Sequence, residues 1–409
     1  MATRPRIFYG WPMVAVGTVC YGLGLAPAYY SWGFFGPELI ADLDLSRTEI
    51  GFGFGVFTFV YSLAAPVSAF AIQRWGLRAT MSAGLAFSAL GFFLLSQAQT
   101  MTDCLLSFSL VGGIGIGIGC QLPAQTIASY WFRRYRARAL ALILAGAGIV
   151  GILVPYVNTR VLQQADWRLG WQLIAGTSLF VSLVALVFAR TRPEDLGSHP
   201  DGAAEAAVDK ETGGIGARHR WTAREALRTP QFFLVTLAAF GSSAPWAAFS
   251  AHGRLHLETV GLSLAGVAAV LAVNSLVSAW GRFAGAIADA ISPPKVLAAA
   301  LLLEGLGIGG YAFASTPLLG SMCAVVFGLG FGVSLLGVPL VFAHFFGREA
   351  FAGTQGTSRM TVGLVRLASP TLTGYLADVT GSYTLPFLGL MAVALSGSAV
   401  AFLCPRPTK

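Results

Sequence analysis

Three arginines lie within stretches of sequence that are otherwise apolar enough to be buried in a membrane: Arg282, Arg359 and Arg366. An arginine at the centre of a bilayer costs roughly 2.5 to 3.5 kcal/mol even on lenient insertion scales. A planar guanidinium matches the two oxygens of a carboxylate, so buried arginines are suited to holding an organic anion. Arg359 and Arg366 are seven positions apart, which predicts one helix face and a separation of about 10 Å.

Other polar side chains in apolar stretches could complete such a site. Asn274 and Ser278 precede Arg282 at intervals of four, which predicts a polar stripe facing inward on one helix. Tyr29, in APAYYSWGFF, could donate a hydrogen bond to a carboxylate or belong to an aromatic belt at the membrane surface. Gln125 could orient a ligand or hydrogen-bond a neighbouring helix. These residues are the remaining substrate-binding candidates.

Each charged candidate also has a structural alternative. Glu304, in LLLEGLGIGG, is the acid nearest the middle of an apolar segment and the candidate for proton coupling; its alternative is a hydrogen bond between helices. Arg282 could pair with Asp289, two turns further on. Arg359 could bond backbone carbonyls, and Arg366 could line an entrance or extend its stem to the membrane surface. The sequence leaves these alternatives open.

The composition places the chain in a membrane. Its 409 residues are 55% hydrophobic and 11% charged, with a mean hydropathy of +0.70, whereas about 25% of the residues of a soluble domain are charged. The net charge of +8 comes from basic clusters between apolar runs, which indicates membrane orientation rather than nucleic-acid binding. The five cysteines stand singly and read as small buried hydrophobic residues.

About twelve apolar segments are long enough to span, at roughly 20 residues each. The only long polar stretch, 190–229, predicts a cytoplasmic linker with a short amphipathic end at 221–227. It separates an N-terminal six-helix half, 1–189, from a C-terminal six-helix half, 230–409. The predicted segments run over about 11–35, 49–72, 79–98, 104–130, 139–161, 170–189, 231–252, 264–289, 295–314, 317–345, 351–375 and 384–404.

The basic residues also predict the orientation. Most of them fall on the side of the N-terminus, and apart from the three arginines within spans only Arg47, Arg160, Arg168 and Arg254 fall on the opposite, outer side. Because positive charge is retained in the cytoplasm, we expect both termini to be cytoplasmic and the protein to lie in a bacterial inner membrane.

The two halves match each other in sequence. SLAAPVSAFAIQRWGLRAT aligns with SAWGRFAGAIADAISPPKV at an offset of about 216, and AGAGIVGILVPYV aligns with TVGLVRLASPTL at about 215. Two nearly equal offsets indicate a tandem duplication. The arginines at 282, 359 and 366 then stand opposite Pro66, Leu144 and Gly151, so all three are unmatched in the N-terminal half. Features present in one copy alone are the better candidates for function.

Several of these motifs resemble those of the major facilitator superfamily. AFAIQRWGLR resembles the family's loop signature after the second helix, and GAIADAISPPK resembles its C-terminal copy. More narrowly, FYGWPMVAVGTVCYG, GIGIGIGCQLPAQTIASYWFRRYRARALALILAGAGIVG, DWRLGWQ, GRFAGAIAD and LADVTGSYTLPF resemble the monocarboxylate porter and oxalate/formate antiporter branch. The resemblance implies an all-α membrane protein with twelve transmembrane helices in two pseudo-symmetric six-helix halves, the major facilitator fold.

The chain also departs from that branch. Tyr29 stands where the animal-type carriers have a lysine on the first helix, and Ser278 stands where proton symporters have an acid. The family's lysine-dependent coupling is therefore not expected here. The first copy of the loop signature has Ala69 and Gln73 in place of the usual glycine and acid.

The resemblance and the arginines together imply a secondary active transporter for a small organic anion, a monocarboxylate or a dicarboxylate. It would work by alternating access, as proton symport, anion exchange or uniport. We expect Arg282 and Arg359 to hold the carboxylate at one depth and Arg366 to attract the anion on its way in. The alternative is a multidrug or lipophilic-solute exporter of the same fold, in which the arginines are structural; a membrane receptor without transport is a third reading.

No enzyme is expected, because HExxH, P-loop and nucleophile-elbow motifs are absent from the sequence. The glycine-rich run GGIGIGIG is apolar and predicts close helix packing instead. We expect no cofactor, no metal and no nucleic-acid partner. The expected partners are the organic anion, membrane lipid and either protons or a counter-anion, and the expected state is a monomer.

Overall fold

The computed structural model describes residues 8–202, 221–284 and 292–407. All regular secondary structure in these ranges is helical. The α-helices are α1 (Gly10–Phe34), α2 (Gly36–Leu43), α3 (Arg47–Leu63), α4 (Ala65–Leu95), α5 (Met101–Cys104), α6 (Gly113–Gly119), α7 (Gln121–Trp131), α8 (Arg136–Gln164), α9 (Trp167–Phe188), α10 (Ala223–Ala226), α11 (Pro230–Thr259), α12 (Leu264–Ala284), α13 (Pro293–Tyr311), α14 (Pro317–Thr380) and α15 (Thr384–Leu403).

Two of these helices reverse direction at a glycine. Gly76 in α4 has φ 78°, and a Cβ there would collide with the side chain of Thr191. Gly347 in α14 has φ 69°, so α14 consists of a first arm, 317–346, and a second arm, 348–380. Both values lie in the left-handed region that glycine tolerates. With these reversals the described helices cross the bundle twelve times, which confirms the predicted number.

The helix ends differ from the predicted segments by several residues. Nine of the described helices are long and apolar enough on their own to cross a membrane. The seventh crossing, predicted over 231–252, is α11 and continues to Thr259. Arg254 therefore lies inside a helix and is only 5% exposed, whereas the sequence placed it in a loop. The prediction was wrong because a buried ion pair, described below, makes this turn of helix compatible with the interior.

The fourth crossing is assembled from several helical pieces. A π-helical turn, Leu105–Gly112, joins α5 to α6, and a break at Cys120 precedes α7. At Gly115 an added Cβ would lie 2.4 Å from the backbone nitrogen of Ser88 in α4. The glycine-rich run thus allows two backbones to approach closely, as the sequence predicted.

Both described ends of the chain and the linker meet at one end of the bundle. The Tyr9 hydroxyl donates to the Phe188 carbonyl, 2.9 Å away. Trp221, which precedes the four-residue α10, packs edge-on against Phe346 at the turn of α14. The amphipathic segment predicted there is therefore a short helix held against the C-terminal half. We call this end of the bundle the linker end and the opposite end the far end.

The two halves contact each other closely toward the far end. An added Cβ at Gly33 of α1 would lie 2.0 Å from the Ser250 carbonyl of α11, and one at Gly51 of α3 would lie 2.2 Å from the Pro370 carbonyl of α14. An added Cβ at Gly148 of α8 would likewise lie 2.6 Å from the Cβ of Ala279 in α12. The functional candidates lie on the linker side of the first two contacts.

Candidate functional site

Arg282 joins the two halves of the bundle. Its side chain, on α12, is 7% exposed, and its Nη1 donates to the Leu144 carbonyl of α8 at 2.5 Å. Its Nε is buried and has no hydrogen-bond partner among the described residues. A carbonyl is a neutral partner, so this bond does not balance the positive charge of the guanidinium. The Nε donor also remains unused.

Arg359 faces a space between the halves. It lies on the second arm of α14, is exposed, and makes no hydrogen bond or ion pair with any residue that the structure describes. Its charge nevertheless interacts with the phenols of Tyr21 on α1 and Tyr61 on α3. Tyr21 interacts with Arg282 as well. The charges of Arg282 and Arg359, both in the C-terminal half, therefore act on the same tyrosine of the N-terminal half.

Arg366 lies seven residues beyond Arg359 on the second arm of α14, nearer the far end, and packs against aromatic rings. Its guanidinium carbon is 5.4 Å from the centre of the Trp246 ring, within the range of a cation–π contact. Its Nε is buried without a partner among the described residues. Tyr29 interacts with its charge, and the Tyr29 and Trp246 rings are 5.3 Å apart. Arg366 thus joins α14 to both α1 and α11.

A continuous group of rings surrounds this position, and we call it the aromatic wall. Trp246 stacks on Phe331 at 5.4 Å with an angle of 7° between the rings, and Tyr29 contacts Phe57 edge-on at 5.3 Å. These rings form an apolar cluster beside cationic groups, and Phe54 and Phe57 are fully buried within it. The aromatic wall consists of Tyr29, Phe54, Phe57, Tyr61, Trp246 and Phe331.

None of the three arginines forms an ion pair within the part of the chain that the structure describes. Asp289, the alternative partner of Arg282, lies outside the described residues. Three positive charges converge on Tyr21, Tyr29 and Tyr61, none of which is ionised at neutral pH. Such an arrangement attracts an anion and offers it donors in a planar fork.

The other candidates lie in several different environments. Gln125, on α7, is half-buried and makes no side-chain hydrogen bond with a described residue, while Gln121 accepts one from the Tyr61 hydroxyl. Asn274 lies against the first arm of α14, where its Oδ1 would be 3.2 Å from a Cβ at Gly328.

Ser278 lies in the same helix contact, because its backbone adjoins Gly328 and Gly332 and its hydroxyl is buried without a described partner. The stripe predicted from the four-residue spacing is therefore not one surface. Asn274 and Ser278 pack on α14, whereas Arg282 reaches α8. A spacing of four identifies a common direction on the helix, but it does not identify the neighbour that occupies that direction.

Glu304 is separate from the arginines. It is 0% exposed on α13, and its Oε1 accepts a hydrogen bond from the Ser334 hydroxyl of α14. Its Oε2 is buried without a partner among the described residues. The hydrogen bond between helices that the sequence offered as an alternative is present, and it leaves half of the carboxyl group unused.

Sequence reasoning missed a polar seal at the far end. Arg254 donates from Nη2 to Glu38 of α2 at 2.7 Å and from Nε to Glu258 at 2.7 Å, and it also bonds the Phe34 carbonyl. The Arg254–Glu258 spacing of four was the one local signal that the helix continues. Its partner in the other half is 216 residues away and gave no local signal.

A second polar contact completes this seal. Asp378, on the second arm of α14, accepts hydrogen bonds from the backbone nitrogen and the hydroxyl of Thr48 at 2.9 and 2.6 Å, and another from the backbone nitrogen of Arg47 at 3.3 Å. Its negative charge lies at the N-terminus of α3, where the helix dipole favours an anion. Both contacts join the two halves and close the far end above Arg366.

One charged pair lies clear of these contacts. Arg168 hydrogen-bonds Asp42 between α9 and the end of α2, and this bond holds the pKa of the Asp42 carboxyl below its usual range. Both partners belong to the N-terminal half and are partly exposed, with side chains 31% and 45% accessible. This pair therefore provides a site for control substitutions.

Twelve crossings in two halves, with unpaired charge between them, are the architecture of a membrane transporter. Residues 14–291 match the family model described as Major Facilitator Superfamily, and the chain belongs to this superfamily. The chain is 28% identical to the human protein named monocarboxylate transporter 11, over 97% of this chain and 83% of that protein.

Two further likenesses extend the comparison. The chain is 22% identical to the MFS-type transporter YhjX of Escherichia coli K12, over 86% of this chain and 85% of that protein. A solved structure of a bacterial homologue of the human lysosomal transporter Spinster, in an inward-facing and occupied conformation, superposes with a TM-score of 0.77 at 16% identity, over 100% of this chain and 98% of that one. The predicted superfamily and the fold are confirmed, and the matched superfamily is one of transporters. The likeness to proteins named monocarboxylate transporters is in line with the predicted branch.

Proposed function

We propose that the protein moves a small organic anion, a monocarboxylate or a dicarboxylate, across the membrane by alternating access. The observation that carries this proposal is that the charges of Arg282 and Arg359 both act on Tyr21 and that neither arginine has an acidic partner among the described residues. A bound carboxylate would supply the missing negative charge, and each guanidinium has donors free to hold it. Relatives named as monocarboxylate transporters support the same class of substrate.

The aromatic wall would accommodate the carbon body of the anion. Arg366 and Trp246 stand at the far side of the space next to Arg359, under the closed seal. An anion held by the deeper arginines would place its apolar part against these rings, where its burial is favourable. We therefore propose that Arg366, Tyr29 and Gln125 border the substrate, and we assign Asn274 and Ser278 to helix packing.

The seal suggests how the halves move. Arg254–Glu38 and Asp378–Thr48 hold the far end closed, and both contacts run between the halves, 1–189 and 230–409. Rocking of one half against the other would break these contacts and expose the arginines to the far side. We propose that the termini and the linker lie in the cytoplasm of a bacterial cell, so that the structure represents an inward-directed state.

Uptake of labelled carboxylates into proteoliposomes tests the proposal. We expect saturable uptake of one or more of lactate, pyruvate, formate and oxalate, and its loss in Arg282→Gln and in Arg359→Gln, because either change removes one of the two charged partners of the buried carboxylate. Arg168→Gln is the matched control, since it removes one guanidinium outside the proposed site. Uptake that persists in both cavity variants at the level of the control would contradict the proposal.

Thermal stabilisation separates this function from drug export. A ligand raises the melting temperature of the state that binds it. We expect carboxylates to stabilise the purified protein and lipophilic cations to have no effect. Stabilisation by cations alone would instead favour an exporter of lipophilic solutes.

A further inference from the structure

We propose that Glu304 is the site that binds a coupling proton, so that the protein works as a proton–anion symporter. This inference rests on the proposed function, because that function supplies the anion to which the proton would be coupled. The family resemblance provides no acid for this role, because Ser278 and Tyr29 stand at the positions where the related carriers have their coupling residues. Glu304 is the buried acid that this chain offers instead.

Among the described residues, no cation contacts the carboxyl group to balance a negative charge. Helices α11, α15 and the first arm of α14 pack around α13. The Glu304 carboxyl accepts a hydrogen bond from Ser334, whose hydroxyl in turn lies 2.8 Å from that of Ser242. No hydrogen bond or ion pair joins the carboxyl to the described titratable groups on these elements or at their ends: His252, Arg254, His256, Glu258, Lys295, Tyr311, Cys323, His344 and Cys404.

An isolated carboxylate in such a place would be a buried, uncompensated charge, which proteins avoid by holding the group in its neutral form. In this structure Glu304 therefore carries a proton. Its Oε1 accepts the Ser334 hydroxyl, and its buried Oε2 has no described partner. The acid can lose that proton only when the surrounding helices rearrange or water reaches it.

Two serines lead from the carboxyl to the back of the aromatic wall. The hydroxyl of Ser334 lies 2.8 Å from that of Ser242 on α11. Ser242 is one helical turn before Trp246, and Ser334 is three residues after Phe331. Trp246 and Phe331 are the stacked pair against which Arg366 lies. The proton site is thus connected by two hydroxyls to the wall of the proposed anion site.

These two hydroxyls could relay a proton to Glu304, and each serine would have the same number of protons before and after the transfer. A proton delivered by water to Ser242 Oγ would release the proton already on that oxygen to Ser334 Oγ. Ser334 would in turn release its proton to Glu304 Oε1, and a half-turn of the carboxyl group would then exchange its two oxygens and return Ser334 to the donor role seen in the structure. The carboxylate becomes a carboxylic acid, and each serine ends with one proton. The transfer back to water is the reverse of the same steps.

The charge on Glu304 would also affect the helix that carries Phe331. A Cβ at Gly330 would lie 2.7 Å from the Glu304 backbone nitrogen and 2.9 Å from its Cγ. The glycine lets α14 approach α13 directly at the acid. Ionisation would draw water or new donors into this contact, so the position of Phe331 would depend on the proton. This dependence links proton binding to the anion site.

Transport driven by a pH gradient tests the assignment. In proteoliposomes an inward proton gradient should drive accumulation of the anion. We expect Glu304→Gln to reduce this accumulation at least tenfold, while exchange of labelled for unlabelled anion continues. Glu194→Gln, on the exposed side of the linker end, is the matched control. Proton-driven accumulation that survives in Glu304→Gln would overturn the inference. Absence of anion transport in the unmodified protein would instead count against the proposed function.

Infrared difference spectroscopy tests the proton site without any substrate. We expect the carbonyl band of a buried protonated carboxylic acid in the unmodified protein and in Glu194→Gln, and its loss in Glu304→Gln. In Ser334→Ala the band should shift, because the hydrogen bond to Oε1 is gone. An unchanged band in Glu304→Gln would overturn the inference. If Glu304→Gln does not fold, Glu304→Asp replaces it. The carbonyl band should then persist at a shifted frequency, and an unshifted band would overturn the inference.

Discussion

Arg366 lies over the indole of Trp246, and this contact orients a cation whose edge remains available to an anion. A cation–π contact of this kind contributes about 0.5 to 2 kcal/mol. We expect Trp246→Ala to raise the KM for the anion by roughly two- to thirtyfold on that scale, and Trp246→Phe to raise it less, because a ring is retained. Initial rates of uptake over a range of anion concentrations give this comparison. A KM equal to that of the unmodified protein in Trp246→Ala would show that the contact has no part in binding.

The sequence indicated some residues of the proposed site and gave no sign of others. Arg282, Arg359 and Arg366 were found from the sequence because a charge in an apolar segment is conspicuous. Trp246 and Phe331 were missed, because an aromatic residue in an apolar helix gives no signal that separates a cavity wall from ordinary packing. Their role is visible only from the stacking of two rings that are 85 residues apart in the chain.

At the scale of the helices, the far-end seal depends on the pairing of α11 with α2. Arg254 forms two charge-assisted bonds with Glu38, and each such bond is worth about 1.5 to 3 kcal/mol. We expect Arg254→Gln to shift the protein toward a state that is open at the far end. A cysteine at Thr58, which is buried beneath the seal, should then react faster with an impermeant thiol reagent applied from that side.

The labelling experiment requires a background without the five native cysteines, of which only Cys404 is not buried. Arg168→Gln in the same background is the control. Arg254→Lys should restore slow labelling in part, because it keeps a positive charge beside both Glu38 and Glu258. Equal labelling rates in Arg254→Gln and the control would mean that the ion pair does not hold the seal.

The helices themselves were predicted well, and their ends were not. Length and hydropathy identify a span, since a membrane needs roughly 20 apolar residues. They do not show that α11 extends to Thr259, because the last turns contain Arg254, His256 and Glu258. These polar residues are accommodated by partners from distant elements, such as the Tyr311 carbonyl that lies 2.6 Å from His256 Nε2. Long-range partners of this kind have no sequence signature.

At the scale of the whole molecule, the arrangement of the termini is open to a direct test. The described ends of the chain and the linker segment all lie at one end of the bundle. We expect a reporter enzyme that is active only in the periplasm to be inactive when fused after Lys409 in a bacterial host, and active when inserted between Ser382 and Tyr383. The opposite pattern would reverse the orientation.

The duplication explains why the fold was predictable and the site was not fully so. Features shared by the two halves, such as Pro155 and Pro370, recur at a fixed offset and define the scaffold. The proposed site lies where the copies differ, at Arg359 opposite Leu144 and at Arg282, which bonds the Leu144 carbonyl itself. Which residues of one half face which residues of the other depends on how the halves meet, and a single sequence does not record that.

If Arg282 and Arg359 hold one carboxylate together, as we propose, the affinity for the anion measured by calorimetry must depend on both. We predict that Arg282→Gln and Arg359→Gln each weaken the Kd for the transported anion by roughly ten- to a hundredfold, as expected for loss of a charged hydrogen bond of about 1.5 to 3 kcal/mol. The double variant should bind little more weakly than either single one, because the arginines act on the same group. A Kd equal to that of Arg168→Gln in both single variants would contradict the account.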